Sequence, residues 1–154
     1  MTTRVVVADE HEARFYDVAG AREPLHLTAS LQEGAARMYD RDLESDRPGS
    51  GFGVNGKRSA MDGERSTKKE HINRFARHVA RAIEAGRRHR QFDQLVLIAA
   101  PRMLGLIRPY LSWPCRALIA AEIRKDLSDA DERELRKYLP RAALARRRPG
   151  VLLH

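Results

Sequence analysis

Four arginines, Arg74, Arg77, Arg81 and Arg88, recur at a spacing that gathers charge on one side of a helix. With Ile72 at zero on a helical wheel, all four fall between about 140° and 200° at 100° per residue, opposite the apolar positions. Guanidinium is always charged and meets phosphate oxygens with a planar fork of donors. A row of such groups is suited to a polyphosphate backbone. The same residue type is repeated near the end of the chain in Arg146, Arg147 and Arg148. The competing reading is a solvated helix laced by ion pairs: Glu70 lies four before Arg74 and Glu84 four before Arg88. Arg77 and Arg81 have no acid at that spacing.

Other chemistries fit less well. A ribonuclease-H-type centre gathers carboxylates around magnesium. Asp9 stands where one ligand would belong, but the apolar run Leu95–Ala100 brings no acid, so Asp9, Glu10 and Glu12 read as turn residues. His71 and His78 are seven apart, about two helical turns, which is too far to share a zinc ion. His89 lies further along, and His11-Glu12 lacks the second histidine of a metalloprotease motif. Cys115 has no histidine near it in sequence and reads as a buried thiol. Gly49, Gly51 and Gly53 have neither dinucleotide nor phosphate-loop spacing. The sequence gives no reason to expect a metal or a cofactor.

The net charge of +8 is unevenly spread: −3 over residues 1–67, +6 over 68–90, −1 over 91–132 and +6 over 133–154. Two basic segments on a near-neutral body suit a polyanionic partner. The single cysteine excludes an intrachain disulfide and fits a reducing compartment. No apolar run nears the roughly 20 residues of a membrane helix, and the short run Val5–Ala8 is no signal peptide. A cytoplasmic protein with no membrane partner is expected.

The elements that must position these residues can be read from periodicity. Val5–Ala8, Ala13–Val18 and Leu25–Leu31 read as three strands of a meander. Residues 34–66 show no period and hold six glycines, which reads as a mobile loop. Thr67-x-x-Glu70 has the capping-box pattern, and Ile72, Phe75, Ala76, Val79 and Ile83 then share one helical face. Gly86 is expected in the last turn. Leu95–Ala100 suits a central strand buried on both faces. Pro101 opens a helix with Met103, Leu104, Ile107 and Leu111 inward. Pro114 marks a break, and Ala117–Ile123 reads as a fifth strand. Ser128 is the expected cap of a last helix, with Leu135, Tyr138 and Leu139 inward. The order β-β-β-α-β-α-β-α predicts an α/β (α+β) domain over 1–139, with a five-stranded mixed sheet in order 3-2-1-4-5 and a basic tail over 140–154.

Four segments carry a resemblance. They are Tyr39-Asp40-Arg41-Asp42-Leu43-Glu44-Ser45-Asp46-Arg47-Pro48-Gly49, Phe75-Ala76-Arg77, the stretch Leu95–Leu106 with Ala100-Pro101-Arg102 and Leu104-Gly105-Leu106, and Glu122-Ile123-Arg124-Lys125-Asp126-Leu127. In this order they resemble the bacterial host attachment protein family, from about Arg4 to about Leu139. That family is distantly similar to the central domain of archaeal and eukaryotic peptide-chain release factors, and the strand pattern read above, a meander joined to two parallel strands, describes a ribonuclease-H-like mixed sheet. There, a loop before a long helix carries a Gly-Gly-Gln tripeptide. The matching stretch here, Gly49-Ser50-Gly51-Phe52-Gly53, has no Gly-Gly-Gln, and residues 34–66 contain no glutamine. The resemblance thus implies the fold without the release chemistry.

The leading expectation is a non-catalytic module for structured RNA or the ribosome, binding through Arg74, Arg77, Arg81, Arg88 and Arg146–Arg148. One alternative is a hydrolase-type enzyme with its site around Asp42, Asp46, Arg47, Gly49 and Phe52. The other is a protein-binding scaffold connected with host attachment.

Overall fold

The computed structural model describes residues 1–33 and 60–144. Its elements are β1 (Thr3–Ala8), β2 (Glu12–Val18), β3 (His26–Gln32), α1 (Ala60–Arg88), β4 (Gln94–Ala99) and α2 (Pro101–Ile107). A 3₁₀ turn (Arg108–Tyr110), α3 (Trp113–Arg116), β5 (Ile119–Ile123), α4 (Glu132–Tyr138) and α5 (Arg141–Leu144) complete them. The strands form one mixed sheet in the expected order, β3-β2-β1-β4-β5. β1–β2 and β2–β3 are antiparallel, whereas β1–β4 and β4–β5 are parallel.

The two central strands are apolar nearly throughout because both of their faces are covered. On one face Val6, Phe15, Leu95 and Leu97 meet Ile72, Phe75, Val79 and Ile83 of α1, with Met103, Ile107 and Cys115 closing the side. On the other, Val5, Val7, Tyr16, Val96 and Ile98 meet Leu127, Leu135, Leu139 and Leu144. β3 is an edge strand and stands largely exposed. Asp9 folds the first hairpin as a turn residue should: its Oδ1 accepts from the His11 and Glu12 amides at 2.7 Å each.

Several expectations need correction. The long helix starts at Ala60, not at Thr67, so Ala60–Ser66 is helical and not part of a loop. Ala60, Met61, Glu64 and Arg65 are good helix formers, and a threonine inside a helix costs only about 0.7 kcal/mol or less, so the capping-box pattern need not be a start. Residues 34–59, the remainder of the expected loop, lie outside the described residues. The last helix is capped by Asp131, whose side chain accepts from the Glu134 amide at 2.9 Å. Ser128 instead donates its amide and hydroxyl to Asp126, and these bonds hold the Asp126 carboxyl below its usual range. Tyr138 is exposed beside Lys125 and does not point inward. Pro114 does not break the chain but lies in the first turn of α3, where a missing amide is harmless.

The exit of α1 is tight. The Gln91 amide bonds the Gly86 carbonyl and the Arg90 amide bonds the Arg87 carbonyl, both at 2.9 Å. This is a Schellman closure, with Arg90 in the left-handed region at φ 55°.

Candidate nucleic-acid interface

α1 lies on the sheet along its apolar stripe and turns the opposite side to solvent. Arg77, Arg81 and Arg88 are exposed on that side, and Arg74 is half-buried. The four arginines do not all share one environment. Arg77 leans to the 3₁₀ turn, where its guanidinium lies 5.9 Å from the Tyr110 ring centroid. The Tyr110 hydroxyl donates to Asn73 Oδ1 at 3.2 Å, which fixes that ring against α1. Arg74 stands at the other flank with Glu33, His71 and His78. Arg81 and Arg88 border an open groove.

That groove, about 940 Å³, runs between the second half of α1 and the edge strand β3. Among the described residues, α1 packs over the centre of the sheet and none covers the inner face of β3 on this side. Phe15, Ala29 and Leu31 line its sheet side, and His78, Arg81, Ala82, Arg88 and His89 its helix side. Its inner end is closed by Arg4, whose Nε and Nη2 donate to the two Asp17 carboxylate oxygens at 2.8 and 2.9 Å. Arg4 also donates to Gln91 Oε1 at 3.1 Å and lies 5.0 Å from the Phe92 centroid.

Glu84 does not pair with Arg88 as the spacing suggests. It accepts instead from Arg87 Nε at 3.1 Å and from the Ser112 amide. Burial alone would raise the Glu84 pKa, but hydrogen bonds from Ser112 and Arg87 outweigh it and hold the carboxyl below its usual range. The acid is therefore spent on anchoring α3 to α1, and it does not neutralise Arg88. Beneath it Cys115 is buried, and desolvation together with the nearby Glu84 pushes its thiol up to about 11. A neutral thiol of this kind is structural.

Glu33, at the end of β3, lies between two histidines: Nδ1 of His11 at 3.4 Å and Nδ1 of His71 at 3.5 Å. Among the described residues no group of three histidine, cysteine or acidic side chains is arranged to hold a metal. Arg146, Arg147 and Arg148, and the loop residues Asp42, Asp46, Arg47, Gly49 and Phe52, lie outside the described residues. Sequence reasoning missed Arg4, Asp17, His78 and His89 as groove residues. They come from two strands, from α1 and from the turn just after it, and no local pattern links them.

The family described as protein required for attachment to host cells has a model that matches residues 4–139. The chain belongs to that family. An uncharacterized protein of Rickettsia prowazekii (strain Madrid E) is 28% identical over 130 residues, which is 80% of this chain and 82% of the relative. Among solved structures, this host attachment family member is similar to an archaeal translation termination factor, with a TM-score of 0.50 at 10% identity. The likeness covers 93% of this chain and 36% of that factor, so the chain spans about a third of the neighbour's length. At such identity the likeness is one of fold. Among the described residues no helix is long and apolar enough to cross a membrane.

Proposed function

We propose that this family member is a non-catalytic module that binds RNA, the ribosome foremost, through the arginine-bearing side of α1. The observation that carries the proposal is the exposure of Arg77, Arg81 and Arg88 on the solvent side of α1, with Glu84 engaged by Arg87 and the Ser112 amide. A ridge of guanidinium groups at helical spacing suits successive phosphates of a folded strand, and the groove beside it gives Arg81 and Arg88 a second direction of approach. The shared fold with a translation termination factor makes the ribosome the first RNA to test, by analogy of fold alone.

The test is copurification of the full chain from native cells, with and without ribonuclease. Ribosomal RNA that is recovered, and lost on ribonuclease treatment, supports the module. A bound metabolite, or a protein partner that withstands ribonuclease in the absence of RNA, would replace it with the enzyme or the scaffold.

A further inference from the structure

The segment Arg108–Arg116 forms a knuckle beside α1 that the fold does not need on its outer side. Pro109, Tyr110, Trp113 and Pro114 are all exposed within it. Trp113 is 79% exposed, although tryptophan is highly buried on average. Its indole therefore contributes little to the core, while the backbone that carries it is held firmly. Ser112 caps α3 through the Cys115 amide, and the Ser112 amide is anchored to Glu84 of α1. Arg116 donates to the carbonyls of Leu111 at 3.1 Å and Arg108 at 2.9 Å. Two prolines stiffen the same stretch, so the rings are presented with little freedom to lose on binding.

Cations predominate around them, with Arg116 and Arg77 outside the carboxylate pairs. Residues 108–118 hold Arg108 and Arg116 and no acid. Two nearby acids are already engaged, Glu84 with Arg87 and Glu122 with Arg108 at 3.3 Å. Arg77 reaches the same knuckle from α1 over Tyr110. An exposed flat ring in a rigid, cationic setting has the chemistry of a surface for an unpaired nucleotide, whose base has a π-face and whose phosphate is an anion.

We propose that Trp113 is a stacking platform for an unpaired nucleobase, with Arg77 and its neighbours on α1 holding the flanking phosphates. This rests on the RNA reading above and adds to it a preference: single-stranded or bulged nucleotides over uninterrupted duplex, whose bases are already stacked on one another.

Trp113 is the only tryptophan of the chain, so its fluorescence reports the site directly. The full chain is titrated with a fluorophore-labelled, short single-stranded oligoadenylate and, separately, with a labelled RNA duplex of equal length. Anisotropy gives binding, and indole emission gives stacking. Quenching that tracks binding of the single strand is expected. Trp113→Ala should weaken single-strand binding roughly five- to a hundredfold, with duplex affinity, salt dependence and melting temperature unchanged. Trp113→Phe should retain most of the affinity. If the single strand binds with strong salt dependence while indole emission stays constant and Trp113→Ala binds like the parent, the platform is wrong and the RNA module stands. If neither RNA binds at low salt, both fail. A blue shift on anionic phospholipid vesicles without any quenching by RNA would assign this surface to a membrane and overturn the platform.

Discussion

The guanidinium of Arg4 passes directly beneath Gly86: a Cβ built on that glycine would stand 2.5 Å from Arg4 Nη1 and 3.0 Å from Phe92 Cε2. The helix can approach the strand only because residue 86 has no side chain. Arg4 cannot easily move aside, since it is buried, bonded to both oxygens of Asp17 and set against Phe92.

Gly86→Ala should therefore destabilise the protein. In an open helix this change would gain roughly 1 kcal/mol from propensity. Here overpacking should outweigh that gain and leave a net loss on the order of 1–3 kcal/mol. Urea denaturation of the single variant checks this. Arg4→Ala should itself be destabilising, because it leaves Asp17 unpaired, but in that background the further cost of Gly86→Ala should shrink, because the nearest atom in the way is gone. Additive effects in the double variant would show that the two residues do not meet.

Arg90 adopts a left-handed conformation that glycine occupies without cost. Arg90→Gly should stabilise the protein by about 0.5–1 kcal/mol, the Schellman bonds of Gln91 and Arg90 being kept. A rise in melting temperature is the readout. Arg90→Val should lower it, since a β-branched residue tolerates this conformation least.

Cys115 gives an alkaline limb to stability. Its thiol is moved from an ordinary value of 9.0 to about 11 by burial and by Glu84. Folding therefore favours the neutral thiol. Its contribution is complete below about pH 9 and is lost as pH rises towards 11, where the unfolded chain sheds the proton first. Denaturation midpoints should fall across that window, and Cys115→Ala should flatten the fall. A thiol reagent at pH 8 should modify the native protein far more slowly than the protein in urea. On the acid side Glu84 acts with the opposite sign. Its lowered carboxyl contributes above its unfolded value and loses that contribution as pH drops through the folded one.

Much of the sheet was legible because its signals are local and strong. Leu95–Ala100 is too apolar to be anything but a strand covered on both sides, and β1, with the same character, pairs beside it. The apolar stripe of α1 is plain from Ile72 to Ile83, and every member is buried. What resisted reading depends on partners remote in sequence. Spacing offers Glu84 to Arg88, yet its carboxylate is taken by Arg87 and by the amide of Ser112, 28 residues on. Ser128 and Asp131 are both acceptable caps, and Asp126 occupies the first. The groove is invisible in sequence because, among the described residues, it is the space between a helix set over the middle of a sheet and the sheet's edge strand. Trp113 shows no periodicity at all, and only its exposure marks it out.

The arginine ridge can be tested apart from the knuckle. Arg81 and Arg88 are exposed, border the groove and lie on the side of α1 away from the sheet. If they contact phosphates, each releases counterions on binding and adds roughly 0.7–0.9 to the slope of log affinity against log salt. Replacing both by glutamine keeps length and hydrogen-bonding capacity but removes the charge. The double variant should bind RNA more weakly at low salt, with a slope flatter by up to about two units. Its stability should change by no more than about 0.5 kcal/mol, as for surface sites away from packing. The control is Arg87→Gln, because Arg87 is paired with Glu84 at 3.1 Å and faces the flank. That change should disturb α3 and stability before it disturbs the salt slope. A flattened slope in the Arg81/Arg88 variant with unaltered melting identifies the ridge as the phosphate contact. An unaltered slope would leave the ridge an ordinary solvated surface and move the RNA contact to Arg146, Arg147 and Arg148, whose own triple replacement by glutamine should then flatten it.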